Sequence, residues 1–175
     1  VTIGGYPGKL RDILGIWVEE EDALPENMHN AFHYEGKTYP ASMLCDLLHT
    51  EGAETLATYE EDFYAGMPVL TKNAFGKGFG YYVATQSSDD FYKKYLSEIC
   101  REAGIEPIMD APDYIEVTRR ANANGSFVFI LNHGQDAYMT AMPFAGTDLL
   151  KEKTYEKGDT LTLKAKDVAI IKLLT

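Results

Sequence analysis

From residue 31 onward, the apolar residues of this chain come in short runs that are repeatedly cut by glycine, asparagine or proline. A chain punctuated in this way has little room for long helices and must satisfy its backbone by pairing strands. The candidate strands are Ala31–Tyr34, Ser42–His49, Glu54–Tyr59, Pro68–Asn73 and Gly78–Thr85. Gly36, Gly52, Gly66 and the turn Gly76-Lys77-Gly78 separate them. The run GYYVAT is a compact stretch rich in β-branched and aromatic residues, as a buried strand is. Beyond residue 112 the pattern is purely β. Tyr114–Arg120, Phe127–Asn132, Tyr138–Met142, Thr160–Leu163 and Val168–Leu173 are the candidates there. Asn124-Gly125 is a hairpin signal, because both residues tolerate positive φ. Polar turns fall at Gly134-Gln135-Asp136 and Lys157-Gly158-Asp159. Strands so short and so regularly interrupted build a small antiparallel sandwich or barrel.

Two segments break this rule. Residues 88–103 carry Phe91, Tyr95, Leu96, Ile99 and Cys100 at helical spacing. Ser87 or Ser88 can cap that helix, Asp89 and Asp90 suit its positive end, and Gly104 stops it. Residues 6–14 predict a shorter helix, with Pro7 in the first turn, Leu10, Ile13 and Leu14 on one face, and Gly15 as C-cap. A strand Ile16–Val18 follows, then a loop over 22–30 around Pro25. Pro107 and Pro112 mark a boundary. The expected architecture is α/β over 1–106, a linker over 107–112 and an all-β domain over 113–175.

The net charge of −11 disfavours nucleic acid and anionic membrane surfaces as partners, since both are bound through Lys and Arg. It is neutral evidence on sugars. No apolar run approaches the ~20 residues of a membrane span. No basic-then-apolar leader opens the chain. The chain begins at Val1 rather than Met, which points to a processed or excised segment of a cytoplasmic protein. The 12 tyrosines suit half-buried strands and interfaces, because each ring is apolar and its tip polar.

Candidate chemistry is sparse. A retaining glycosidase needs two carboxyls ~5–5.5 Å apart, one with a raised pKa. Glu19–Asp22 and Glu60-Glu61-Asp62 are the dense acidic runs, and neither sits among apolar residues that would raise a pKa. His29 and His33 have the spacing of a helical metal pair, but the surrounding pattern is not helical and no third ligand follows. His49 and His133 stand alone and read as locally hydrogen-bonded. Cys45 and Cys100 lie in apolar patterns and read as buried thiols. Gly4-Gly5 and the glycines of 76–80 lack the full dinucleotide fingerprint and read as turns. Asn124-Gly125-Ser126 fits a glycosylation sequon, which the hairpin already explains. Trp17, between Ile16 and Val18, reads as a packed residue. No catalytic, cofactor-binding or metal residue emerges.

Longer strings add a resemblance. GGYPGKLRDILGIWVEE at 4–20, LCDLLHTEGAETLATYEEDFYAGMPVLTKNAFGKGFGYYVAT at 44–85, IEVTRR and FVFILNH within 115–133, TDLL at 147–150 and LTLKAKDVAII at 161–171 resemble the C-terminal third of glycoside hydrolase family 42 β-galactosidases. The resemblance implies the later part of a class I glutamine amidotransferase-like trimerisation domain, about 1–106, followed by a small antiparallel β-sandwich. It also implies that the catalytic (β/α)8 barrel, with its two glutamates, is not within this sequence. The implied partners are that barrel and like subunits of a homotrimer, with a β-galactoside bound only through the barrel. A carbohydrate-binding module is the competing expectation. It would need exposed rings, whereas Tyr114, Phe127, Phe129, Tyr138, Phe144 and Tyr155 mostly alternate with polar residues as core positions do. A small amidotransferase-type enzyme would need a reactive Cys with a His partner at a strand-to-helix elbow, where neither Cys45 nor Cys100 lies.

Overall fold

The computed structural model describes residues 6–174. The Gly4-Gly5 turn lies outside the described residues. Two compact units divide the chain, Val1–Ile105 and Glu106–Thr175.

The first unit opens with a 3-10 turn, Gly8–Leu10, running into one turn of helix α1, Arg11–Leu14. Gly15 ends it at φ +61°, the left-handed conformation a C-cap needs. Strand β1 (Ile16–Ala23) pairs antiparallel with the long strand β3 (Lys37–Thr50). β1 outruns the expected Ile16–Val18, so the acidic run Glu19–Asp22 lies on a strand. β2 (Asn30–Tyr34) pairs with the first half of β3, and β1 with the second half. Pro40 is tolerated in β3 because that half is paired on one side only. The strand turns its corner at Ser42–Cys45, where its pairing with β7 (Thr85–Gln86) shifts register and Met43 sits at φ +64°. A second sheet, β4 (Glu54–Thr58), β5 (Pro68–Phe75) and β6 (Gly78–Val83), is an antiparallel meander. Helix α2, Asp89–Glu102, is the one long helix among the described residues. Every strand pairing in this unit is antiparallel. The expectation of an α/β unit is therefore corrected to a β-rich one. One amphipathic segment supplies one helix, which is too few to cover a parallel sheet on both faces.

Tyrosine and phenylalanine fill the interface between α2 and the sheet. Phe91 stacks on Tyr95 with ring centroids 5.2 Å apart, and it meets Phe32 edge-on at 5.1 Å. Tyr34 meets Tyr95 edge-on at 5.5 Å. Only Phe91 and Tyr95 of the helix are buried. Leu96 is exposed, and so is Cys100, which corrects the expectation of two buried thiols. Three- and four-residue spacing defines a stripe, but the stripe is wider than the face a single sheet can cover. Ser88 is the N-cap, its Oγ accepting from the Phe91 N–H.

The α1 turn is clamped to the second sheet. The Asn73 amide on β5 donates to the carbonyls of Ile13 (2.9 Å) and Asp12 (3.2 Å). Gly80 on β6 lies so close to the same turn that a Cβ there would stand 2.5 Å from the Ile13 carbonyl oxygen. The two sequence strings that carry the family resemblance most strongly, around residues 8–16 and 75–85, therefore meet in space.

In the second unit β8 (Ile115–Asn122) and β9 (Gly125–Asn132) form a hairpin. Its tip is Ala123-Asn124, one residue earlier than the expected Asn124-Gly125, because Gly125 at φ +130° pairs with Asn122. β10 (Tyr138–Ala141), β11 (Gly146–Asp148), β12 (Lys153–Tyr155), β13 (Thr160–Leu163) and β14 (Val168–Leu173) follow. A five-stranded antiparallel sheet, β12-β11-β14-β9-β8, shares one core with the ribbon β10-β13. Val128, Ile130, Ala169 and Ile171 come from the sheet and Leu161 and Leu163 from the ribbon. The strands β11 and β12 are only three residues long, too short to show a period in sequence. Ile108 and Met109, from the stretch read as linker, belong to this core. Phe127 and Phe129 are half-buried on the face opposite Val128 and Ile130, and Tyr114 is exposed, so these three are not core residues.

Candidate functional site

The acidic runs resolve into separate local structures. Glu19 occupies the register shift between Val18 and Glu20 on β1. A bulge residue escapes the strict alternation of the strand. Its carboxylate lies 2.6 Å from His49 Nε2, and His49 stacks on Trp17 with centroids 4.6 Å apart. Arg11, over the Trp17 ring at 5.9 Å, forms a two-pronged pair with Glu51. Trp17 is thus half-buried beneath its neighbours rather than offered as a sugar platform. Asp22 accepts from the Tyr64 hydroxyl at 3.0 Å. The turn Glu60-Glu61-Asp62 is pinned by buried Asn30, whose Oδ1 accepts from Glu61 N–H (3.0 Å) and whose amide donates to the Glu61 carbonyl (2.7 Å).

The histidines do not converge. His33 lies 3.4 Å from Thr38 Oγ1 on the adjacent strand, and His133 lies 3.1 Å from Glu116. Among the described residues no three His, Cys, Asp or Glu side chains are placed to hold a metal. Cys45 is buried with its sulfur 3.6 Å from Thr85 Oγ1. No described helix is long and apolar enough to cross a membrane.

One constellation escaped the sequence reading. Asp46 lies in the apolar run of β3 and faces Glu21 of β1 in register. Tyr82 donates a 2.6 Å hydrogen bond to Asp46 Oδ2, and the Tyr6 hydroxyl lies 3.4 Å from that of Tyr82. Burial pushes the Asp46 carboxyl above the usual carboxylate range, the Tyr82 bond opposes that, and the negative charge of Glu21 adds to it. The Tyr82 phenol is itself driven up, first by burial and then by its bond to the carboxylate. The signal was present in sequence as one Asp inside LCDLL. A lone acid in an alternating strand normally faces water, so the pattern by itself does not single it out.

Tyr6, Glu21 and Asp46 line a groove of about 310 Å³ whose walls also include Met43, Leu44 and Val83. A second groove of about 480 Å³, with Leu24, Pro25 and Met28 in its walls, adjoins it at Met43. Met43 is 61% exposed, despite being thioether-bearing and apolar. The left-handed backbone at the strand corner is what turns it outward. The groove does not present a hydrolytic pair. Its one carboxyl with a raised pKa is occupied by Tyr82, and Glu21 beside it is exposed. Adaptable apolar walls with two carboxylates at one side suit an apolar and cationic protein segment.

The described residues thus form a β-rich fold with an open groove beside Met43. Residues 1–106 match the family model described as the β-galactosidase trimerisation domain, and residues 114–173 match the one described as the β-galactosidase C-terminal domain. The chain belongs to this family, the β-galactosidases of glycoside hydrolase family 42. It is 43% identical over 178 residues to β-galactosidase BgaA of Planococcus sp. (strain 'SOS Orange'), covering 98% of this chain and 26% of that protein. It is 33% identical over 180 residues to β-galactosidase BgaB of Geobacillus sp. (strain Y412MC61), with coverage of 98% and 26%. The crystal structure of a β-galactosidase from Bacillus circulans sp. alkalophilus superposes with a TM-score of 0.89 at 38% identity, over 99% of this chain and 26% of that one. The chain thus spans about a quarter of the length of the relatives it matches.

Proposed function

We propose that this chain is the scaffold and subunit-association portion of a β-galactosidase. In the whole protein, terminal β-D-galactosyl residues are hydrolysed by a retaining two-carboxylate mechanism whose acid and nucleophile belong to a barrel outside these residues. Residues 1–106 are read as the later part of an amidotransferase-like trimerisation domain, 107–112 as a linker and 113–175 as a C-terminal antiparallel β domain. The partners are the barrel and like subunits of a homotrimer, in a cytoplasmic enzyme. The observation that carries this reading is the match of both units, in order, to the trimerisation and C-terminal domains of the family.

The arrangement of the acids supports it. A hydrolytic site needs one protonated and one ionised carboxyl flanking a sugar-sized cleft. Here Glu19, Asp22, Asp90, Glu102, Glu51 and Asp167 are engaged by His49, Tyr64, Lys37, Lys72, Arg11 and Lys151 respectively. The experiment is a chromogenic β-galactoside assay of this chain beside the whole enzyme. Turnover is expected from the whole enzyme only. Turnover by the isolated chain, abolished by substitutions among its own acids, would overturn the reading.

A further inference from the structure

The tip of the β5–β6 hairpin is unusual for an exposed turn. Phe75 and Phe79 flank Gly76-Lys77-Gly78 and are 50% and 52% exposed. Register pairs Phe75 with Gly78 and Ala74 with Phe79, so the two rings project from opposite faces of the hairpin. Phe79 is held in place, because Lys72 Nζ lies over its ring at 4.1 Å and is itself anchored by Glu102. Lys77 at the apex is exposed and has no partner among the described residues. Two rings and one cation on a rigid tip form a knob.

The groove at Met43 has the complementary character. Its walls are apolar, and Glu21 and Asp46 supply negative charge where Lys77 supplies positive. Knob and groove lie at opposite ends of β6, since Gly78 begins the strand at the tip and Val83 ends it at the groove. Five strand steps separate them by ~17 Å. One copy therefore cannot fill its own groove with its own knob. Groove-to-groove pairing would set the carboxylates of two copies against each other, in a chain already carrying a net charge of −11. The alternative is head-to-tail contact, which forms a ring when the rotation between copies closes and a filament when it does not.

We infer that the hairpin tip Phe75–Phe79 of one copy seats in the Met43–Asp46 groove of a second copy of this chain, and that repetition of this contact closes the trimer. The inference rests on the subunit-association reading above and names the surfaces that perform it. The Phe75 ring, on the face away from Lys72, fills the space beside Met43 and Leu44. The Lys77 ammonium meets Glu21 and the half-buried Asp46. Binding there draws the proton equilibrium of Asp46 towards the ionised form.

The test uses the whole protein in sedimentation velocity across a dilution series. Lys77→Glu and Glu21→Lys are both exposed substitutions. Each is expected to raise the concentration at which the trimer dissociates by at least about tenfold, because each places like charges together. The double variant restores opposite charges across the same contact, and its dissociation point is expected to return to within about threefold of the original. A photo-crosslinking residue at position 77 provides a second readout that leaves the groove untouched. It is expected to join residues 42–46 of another copy. An unaltered trimer in both single variants, or crosslinks from position 77 only into upstream polypeptide, would overturn the knob-and-groove contact while leaving subunit association intact. A wild-type protein that sediments as a monomer at every concentration would overturn the association reading itself, and this contact with it.

Discussion

Asp46 shows what a single side chain can report. Burial raises its carboxyl pKa, so the folded state holds this proton more tightly than the unfolded chain does. Stability contributed by Asp46 therefore falls as pH climbs from the ordinary carboxylate value through the raised one, and the full penalty applies above it. Asp46→Asn keeps an acceptor for the Tyr82 hydroxyl and removes the charge. That variant is expected to unfold at higher urea than wild type at about pH 7, with the difference shrinking towards about pH 4. A difference independent of pH would mean that the carboxylate carries no burial penalty. Asn30 and Asn132 illustrate a second residue-scale rule. Asn132 is buried, and its amide donates to the carbonyls of Asp136 and Lys164 while its oxygen accepts from Gly134 N–H. Neither Asn stands out in sequence, because the partners that justify burying it come from distant turns.

Among the elements, the α1 turn and the β5–β6 hairpin depend on each other. Gly80→Ala places a methyl group against backbone, since its Cβ would stand 2.5 Å from the Ile13 carbonyl oxygen. Backbone cannot rotate away as a side chain can, so the expected cost is about 1–3 kcal/mol, read as a lower urea midpoint. Gly76→Ala on the same hairpin meets nothing within 4 Å but sits at φ +60°, so its penalty is conformational only. Strand existence was largely legible from alternation and turn residues. Sequence pattern places this strand at Ser42–His49, yet β3 runs Lys37–Thr50, straight through Pro40. Whether Pro40 breaks a strand depends on whether its missing N–H faces a partner, and sequence does not record which edge is paired. The α2 helix was legible to within a residue or two, but which of its apolar residues are buried was not, as exposed Leu96 and Cys100 show.

For the whole molecule, each unit owns its core. The first is built around Phe32, Tyr59, Leu70 and Phe91, and the second around Val128, Ile130, Leu161 and Ile171. Residues 106–175 are therefore expected to fold alone with a cooperative urea transition, since ~60-residue β domains with a closed core do so. A gradual transition without dispersed amide resonances would show that this core needs the preceding residues. The family was readable from ordered strings spanning nearly the whole chain, and the comparisons bear that out. The groove at Asp46 was not readable, although every residue in it was in view.

That difference has one physical origin. The sequence alone determined what depends on neighbours along the chain: strand and helix periods, the Gly15 cap, a serine cap at 87 or 88, the turns and the family strings. The tertiary structure alone decided what depends on which distant residues share a face. It put Glu19 on His49, brought Tyr82 to Asp46, pressed Gly80 against Ile13 and left Cys100 in water. Burial and pairing are properties of two surfaces in contact, and a one-dimensional pattern describes only one of them.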